Sequence, residues 1–268
     1  MRNLSLLFLL TVFFSSCQQG PKHPQAELLS QQSPKAMNPR EIVQYADSIE
    51  ASIGDLDKAV SLIYTSGEKS FHVEKYSING KPMVIVKLNR NEGISSSTEK
   101  YYFKNDTLVL IRQVASSRKS SHEAVKNQRI FIRNNVPFKE DLRFAANQED
   151  LAKLPFQEFR NTKLLSTNYA DSTIVLNDAL EGSNAFEMVF DQYIAAESGS
   201  YILLKSKLPG GYTANVKVNE RDPFIDSLEM NPLVFKDTKL RFKWSLKNNE
   251  AIYVPVLVKV TSAKGLNR

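Results

Sequence analysis

The chain has 268 residues, a net charge of +6 from 35 basic and 29 acidic side chains, three histidines and one cysteine. A single cysteine excludes an internal disulfide framework and a multi-thiolate metal site, so stability must come from a hydrophobic core, and the chain is long enough for one or two of them. Basic residues are scattered among nearly as many acids, with Arg118-Lys119 the only adjacent basic pair in the body, which argues for a solvated surface and against nucleic acid as a partner.

Arg2 leads into an apolar run from Leu4 to Phe14, followed by Ser15, Ser16 and the single Cys17. A permanent membrane helix needs roughly twenty apolar residues, so this shorter run reads as a secretory signal occupying residues 1–16. Phe14-Ser15-Ser16-Cys17 resembles the lipobox of bacterial lipoproteins; Phe14 stands where the commoner pattern has Leu, a looser form seen in the Bacteroidota. The resemblance implies cleavage before Cys17, diacylglycerol and palmitate at that residue, and attachment to the outer membrane. Two or three acyl chains are needed for stable attachment, since each buried methylene contributes only about 0.8 kcal/mol. In that phylum surface export goes with acids just after the cysteine; Gln18-Gln19-Gly20-Pro21-Lys22 has none, so the periplasmic face is expected. From the residues alone, a plain secreted protein with an incidental cysteine is the alternative.

Residues 17–37 are dominated by Gln, Pro, Ser and Lys and read as a disordered tether with a reach of about 25 Å. A helix is expected over residues 39–53. Asn38 suits the N-cap, Pro39 the first turn and Glu41 a capping box, while Ile42, Ala46, Ile49 and Ile53 share one face and Gly54 ends it.

Strands are predicted over residues 60–64, 70–78, 81–88, 99–104 and 107–114 from their β-branched and aromatic content. Asn79-Gly80 is a strong hairpin signal, because both centres of a type I′ turn need positive φ, and Asn105-Asp106 is a second. Residues 83–88 are apolar on both faces, as a central covered strand would be. The segment from Lys100 to Asp106 is echoed by Arg129 to Asn135, which predicts two hairpins of one build; 118–126 between them reads as a polar loop with a short helical turn. The helix, the meander and the Tyr101-Tyr102-Phe103 hairpin together resemble small α+β lipoprotein domains of the Bacteroidota over residues 38–140. The likeness implies a fold and no catalytic residues.

Residues 140–159 read as a helical or irregular connector with a domain boundary near 155–160. Beyond it, strands are predicted over 172–176, 185–194, 200–207, 213–218, 239–246 and 252–260, separated by Gly and Asn turns. Trp244 beside Phe242 is expected to anchor their core, with a sugar-stacking platform as the sharper alternative. The expected fold is therefore an α+β N-terminal domain, one helix on an antiparallel β-meander at 38–158, followed by an all-β sandwich-like domain at 159–268.

Chemistry-bearing clusters are sparse. His23 lies in the tether and His72 in a strand; Ser121-His122-Glu123 are neighbours in sequence, which does not make a triad, and no G-x-S-x-G elbow is present. Asp222, Asp226 and Glu229 form the best oxygen cluster for calcium but lack the EF-hand spacing, and Asp222-Pro223 is also an ordinary helix start. Pro209-Gly210-Gly211 lacks the lysine and helix of a P-loop. No catalytic residue, metal site or cofactor is expected. The expected role is a lipid-anchored, non-catalytic module binding or scaffolding a protein, peptide or glycan. Two rivals carry signatures of their own: a hydrolase of envelope polymers would show a polar cleft with converging carboxylates and a raised carboxyl pKa, and a structural subunit a large exposed apolar patch.

Overall fold

The computed structural model describes residues 37–119, 122–159, 169–197 and 199–256. The signal, Cys17, His23, the tether up to residue 36, Ser121, the side chains of His122 and Glu123, and residues 257–260 of the last predicted strand lie outside what is described.

The chain is mostly β, with an N-terminal helix ahead of the strands. Helix α1 (Pro39–Ala51) matches the expected amphipathic segment, burying Ile42, Ala46 and Ile49, and gives way to a 3₁₀ turn at Ile53–Asp55. Strands β1 (Asp57–Val60) and β2 (Tyr64–Ser66) both pair with β3 (Lys69–Ile78). The predicted strand at 60–64 is corrected here, because it falls on the break between β1 and β2. Buried Ser61 fills the break: its N–H donates to Val73 O, and its hydroxyl accepts the Val73 N–H and donates to Leu62 O.

Then come β4 (Lys81–Asn91), β5 (Ser95–Lys104), β6 (Thr107–Lys119), β7 (His122–Arg133) and β8 (Val136–Ala145), each antiparallel to the one before it. The turns at Asn79-Gly80, Asn105-Asp106 and Asn134-Asn135 have positive φ at both centres, as the type I′ signal requires. The expected polar loop at 118–126 is instead ladder, with Arg118 paired to Glu123 and Val125 to Ser116. The expected connector begins as the end of β8, then helix α2 (Gln148–Lys153), capped by the Asn147 side chain, and the short β9 (Gln157–Glu158).

The predicted strand at 172–176 is helix α3 (Ala170–Glu181), with Leu176 and Ala179 buried and Gly182 left-handed at its C-terminus. Ile174 and Val175 suggest a strand by composition, but both are largely exposed. After a 3₁₀ turn (Asn184–Phe186) come β10 (Met188–Ala196), β11 (Gly199–Ser206) and β12 (Thr213–Val218). Helices α4 (Pro223–Met230) and α5 (Pro232–Phe235) precede β13 (Lys243–Lys247) and β14 (Glu250–Val254).

All these strands belong to one sheet. Its order is β10-β11-β12-β2-β3-β4-β5-β6-β7-β8-β9, with β1 on β3, β14 parallel to β12, and β13 on β14. A single residue pair, Thr213 with Thr65, joins β12 to β2.

Alternation along the meander sorts its side chains onto two faces. One face lies under α1. Tyr45 donates to Phe103 O at 2.6 Å, Arg112 reaches Asp47 at 2.6 Å, and Glu50 accepts from Lys100 at 2.7 Å and from the Tyr102 hydroxyl. Burial pushes the Glu50 carboxyl up, but these hydrogen bonds outweigh it and hold it below the usual range. Phe156 lies against Arg129 and Arg143 guanidinium planes, 3.6 and 4.4 Å from its ring centre. The opposite face packs Val73, Ile85, Tyr101, Ile111 and Ile130 into one apolar cluster with Leu176 and Ala179 of α3, Phe186 and the C-terminal strands. Tyr64 locks this layer, donating to Ala179 O at 2.8 Å.

Candidate functional site

The second face is apolar along only part of each strand. Proceeding outward, Ile85 is followed by Lys87, Asn89 and Asn91; Tyr101 by Glu99, Ser97 and Ser95; Ile111 by Gln113, Ala115 and Ser117; Ile130 by Gln128 and Lys126. Phe71, Asn89, Ser97, Ala115 and Lys126 form one continuous cross-strand row. Short side chains in the middle of that row set the sheet surface low, while the Phe71 ring and Lys126 stand at its ends.

The result is a groove of about 780 Å³. Its floor is Asn89, Asn91, Ser95, Ser97, Gln113, Ala115 and Ser117, and its walls are Val175 and Leu176 of α3, Phe186, and Gly210, Gly211 and Tyr212. The volume lies in the range of small-ligand sites. The aromatic wall is rigid: Phe186 and Tyr212 stack with centroids 5.2 Å apart, and Phe71 meets both edge-on. Gly211 is required for that wall, since a Cβ there would come 2.5 Å from Ser206 Cβ.

Lys69, Lys87, Arg90 and Lys126 line the groove, and among the described residues none of the four pairs with a carboxylate within 4.0 Å. Lys87 lies over the Phe71 ring at 5.1 Å, and Lys126 donates to Gln128 Oε1 at 2.7 Å. Glu99 sits on the next row inward, with one oxygen held by Asn89 Nδ2 at 3.1 Å and the other by the Tyr101 hydroxyl at 2.7 Å. Asn91 Oδ1 is buried without a hydrogen-bond partner among the described residues.

Glu140 shares this face, and burial raises its carboxyl pKa against the opposing effect of Gln128, which donates to its Oε1, and of nearby Lys126. Its Oε2 has no hydrogen-bond partner among the described residues. A raised carboxyl is one signature of a hydrolase, but Glu140 is not among the residues lining the groove. The exposed apolar side chains Met230, Leu233 and Val234 cluster at the α4–α5 corner.

The other residues singled out in the sequence are placed in structural roles. His72 is buried, its Nε2 3.7 Å from Glu74. Asp222 caps α4, accepting the N–H groups of Phe224 and Ile225, the Tyr253 hydroxyl and the Val256 N–H, while Asp226 and Glu229 both bind Arg221. Among the described residues no three His, Cys, Asp or Glu side chains form a group able to hold a metal ion. Trp244 packs edge-on against Phe242 in the apolar cluster, and its indole N–H points to Ser61 O at 3.4 Å. No helix among the described residues is long and apolar enough to cross a membrane.

The groove residues themselves escape a motif search. Their signal is a change of content at fixed period within each strand, from apolar to short polar side chains on the same face. Comparison of the chain with protein-family models, with curated proteins and with solved structures found no match.

Proposed function

We propose that this is a lipid-anchored envelope protein of the bacterial lipoprotein type, a non-catalytic module that binds a protein, peptide or glycan through the groove on its sheet. The observation that carries the reading is the groove: a pre-formed hollow with a rigid aromatic wall, a hydrogen-bonding floor and cations that have no carboxylate within 4.0 Å among the described residues. Anchoring is read from Phe14-Ser15-Ser16-Cys17, with acylated Cys17 holding the protein on the periplasmic face of the outer membrane. Residues 38–158 and 159–268 act in this reading as an α+β module and a sandwich-like β module, sharing a sheet through the Thr213–Thr65 pair.

Two variants test the proposal in cells. Cys17→Ala should move the protein from the membrane to the soluble envelope fraction and abolish palmitate labelling; a mutant that stays on the membrane contradicts anchoring. Ser97→Trp fills the groove floor and should remove the product that cross-linking yields with wild type, while the melting temperature is retained. Unchanged cross-linking by a folded Ser97→Trp protein contradicts the groove as the binding site.

A further inference from the structure

We infer that the groove takes an acidic oligosaccharide, a short glycan bearing carboxylate or sulfate groups; this deepens the binding reading above and rests on it. Three features of the groove select this class.

The first is charge. Lys69, Lys87, Arg90 and Lys126 all line the groove, and none has a carboxylate partner within 4.0 Å among the described residues. Elsewhere the protein matches its charges across strands, as Lys58 does with Glu74 and Arg129 with Asp141. Glu99, directly opposite Lys87 in the β4–β5 ladder, has one oxygen held by Asn89 and the other by Tyr101 rather than by the lysine. An incoming anion therefore meets cations that no carboxylate among the described residues contacts directly, Lys126 acting on Glu140 only at longer range.

Spacing is the second. Lys87 on β4 and Lys126 on β7 are three strand-to-strand steps and two residues apart, roughly 16 Å. Lys69 pairs with Asn91, four residues along β4 from Lys87, which is roughly 13 Å. A single phosphate or lipid headgroup is too compact to meet such separated charges, whereas an extended ligand with repeated anions is not.

The third feature is the floor. Ser95, Ser97 and Ser117 carry hydroxyls that donate and accept, and Asn91 has a buried Oδ1 with no partner among the described residues. Sugar hydroxyls also donate and accept, and a C–H-rich sugar face can lie on Tyr212. A peptide gains most by pairing its backbone with a strand edge, but this floor is the middle of a sheet whose backbone groups are already paired.

Calorimetry on the full-length protein in mild detergent tests this. The probes are a galacturonate tetrasaccharide, a chondroitin sulfate tetrasaccharide, neutral mannotetraose, inorganic phosphate and phosphatidylglycerol vesicles. The expected result is binding of an acidic tetrasaccharide that weakens by about tenfold or more between low and high salt. The double variant Lys87→Gln, Lys126→Gln should weaken it by a similar factor with melting unchanged. Equal binding of mannotetraose, preference for phosphate or vesicles, or absence of any oligosaccharide binding would overturn the inference. If no oligosaccharide binds but folded Ser97→Trp still loses the cross-linked product in cells, the glycan falls and the binding reading stands. Should Ser97→Trp change nothing in cells, both fall.

Discussion

The two faces of the meander are built from the same strands and end in different chemistry. On the face under α1, charges have partners: Glu50 with Lys100, Asp47 with Arg112, Asp141 with Arg129 and Lys139. On the opposite face, Lys69, Lys87 and Lys126 have no carboxylate within 4.0 Å among the described residues and border a floor of serine, asparagine and alanine. A face completed inside the fold satisfies its polar groups with its own chain, and unsatisfied groups gathered in a hollow mark where something else completes them.

The largest test of this contrast is a stability comparison. Phe131 is 1% exposed on the α1 face, so Phe131→Ala should cost about 3–5 kcal/mol in urea unfolding. Lys87→Gln with Lys126→Gln should change stability by less than about 1 kcal/mol, as expected of partly solvated side chains outside the core. Similar losses in the two proteins would show that the groove residues serve packing.

Acid should act on the α1 face next. The imidazole of His72, opposed by burial and assisted by Lys58 at 2.8 Å and the Tyr76 hydroxyl at 2.7 Å, holds the Glu74 carboxyl down to about 2. Because the folded pKa lies below the unfolded one, this stabilisation is complete above about pH 4.5 and is lost as pH falls towards 2. Partial exposure reduces it to about 2 kcal/mol. Glu74→Gln should therefore be less stable than wild type at neutral pH and converge with it near pH 2; a pH-independent difference would contradict the assignment.

Gly211→Ala addresses the groove wall. The added methyl group meets Ser206 at 2.5 Å, so the 210–212 segment has to shift, at a cost of about 1–3 kcal/mol. Ligand binding should weaken with it as Tyr212 leaves its stack on Phe186. Retained binding would remove the aromatic wall from the account.

The smallest expected effect has the opposite sign to that of Glu74. Burial raises the Glu140 pKa, so ionised Glu140 destabilises the fold once pH rises above the unfolded carboxyl range. Glu140→Gln keeps an acceptor for Gln128 and removes the buried charge. It should gain slightly in stability on wild type at pH 8 relative to pH 4. An unchanged difference across that range would show that burial does not raise the Glu140 pKa.

The hairpins and α1 were legible because local chemistry decides them. Asn-Gly, Asn-Asp and Asn-Asn turns force register, and Ile42, Ala46 and Ile49 recur at helical spacing. Helix α3 was not, because Ile174 and Val175 carry strand propensity and only tertiary packing of Leu176 and Ala179 overrides it. The groove was hidden for a related reason. Strands predicted to end at 88 and 114 and to begin at 99 run on to Asn91 and Lys119 and start at Ser95. Those added stretches supply much of the groove floor. Strand prediction relies on bulky β-branched and aromatic residues, and a low floor needs Ser, Asn and Ala instead, so the places where local propensity fails coincide with the site.

Residue-resolved photo-cross-linking in living cells tests the central claim most directly. A photoreactive residue at Ser97 or Ala115 lies on the groove floor, whereas one at Asp106 or Asn135 lies at a hairpin tip. Covalent products are expected from positions 97 and 115 and none from 106 and 135. Products from the hairpin tips with none from the groove would contradict it.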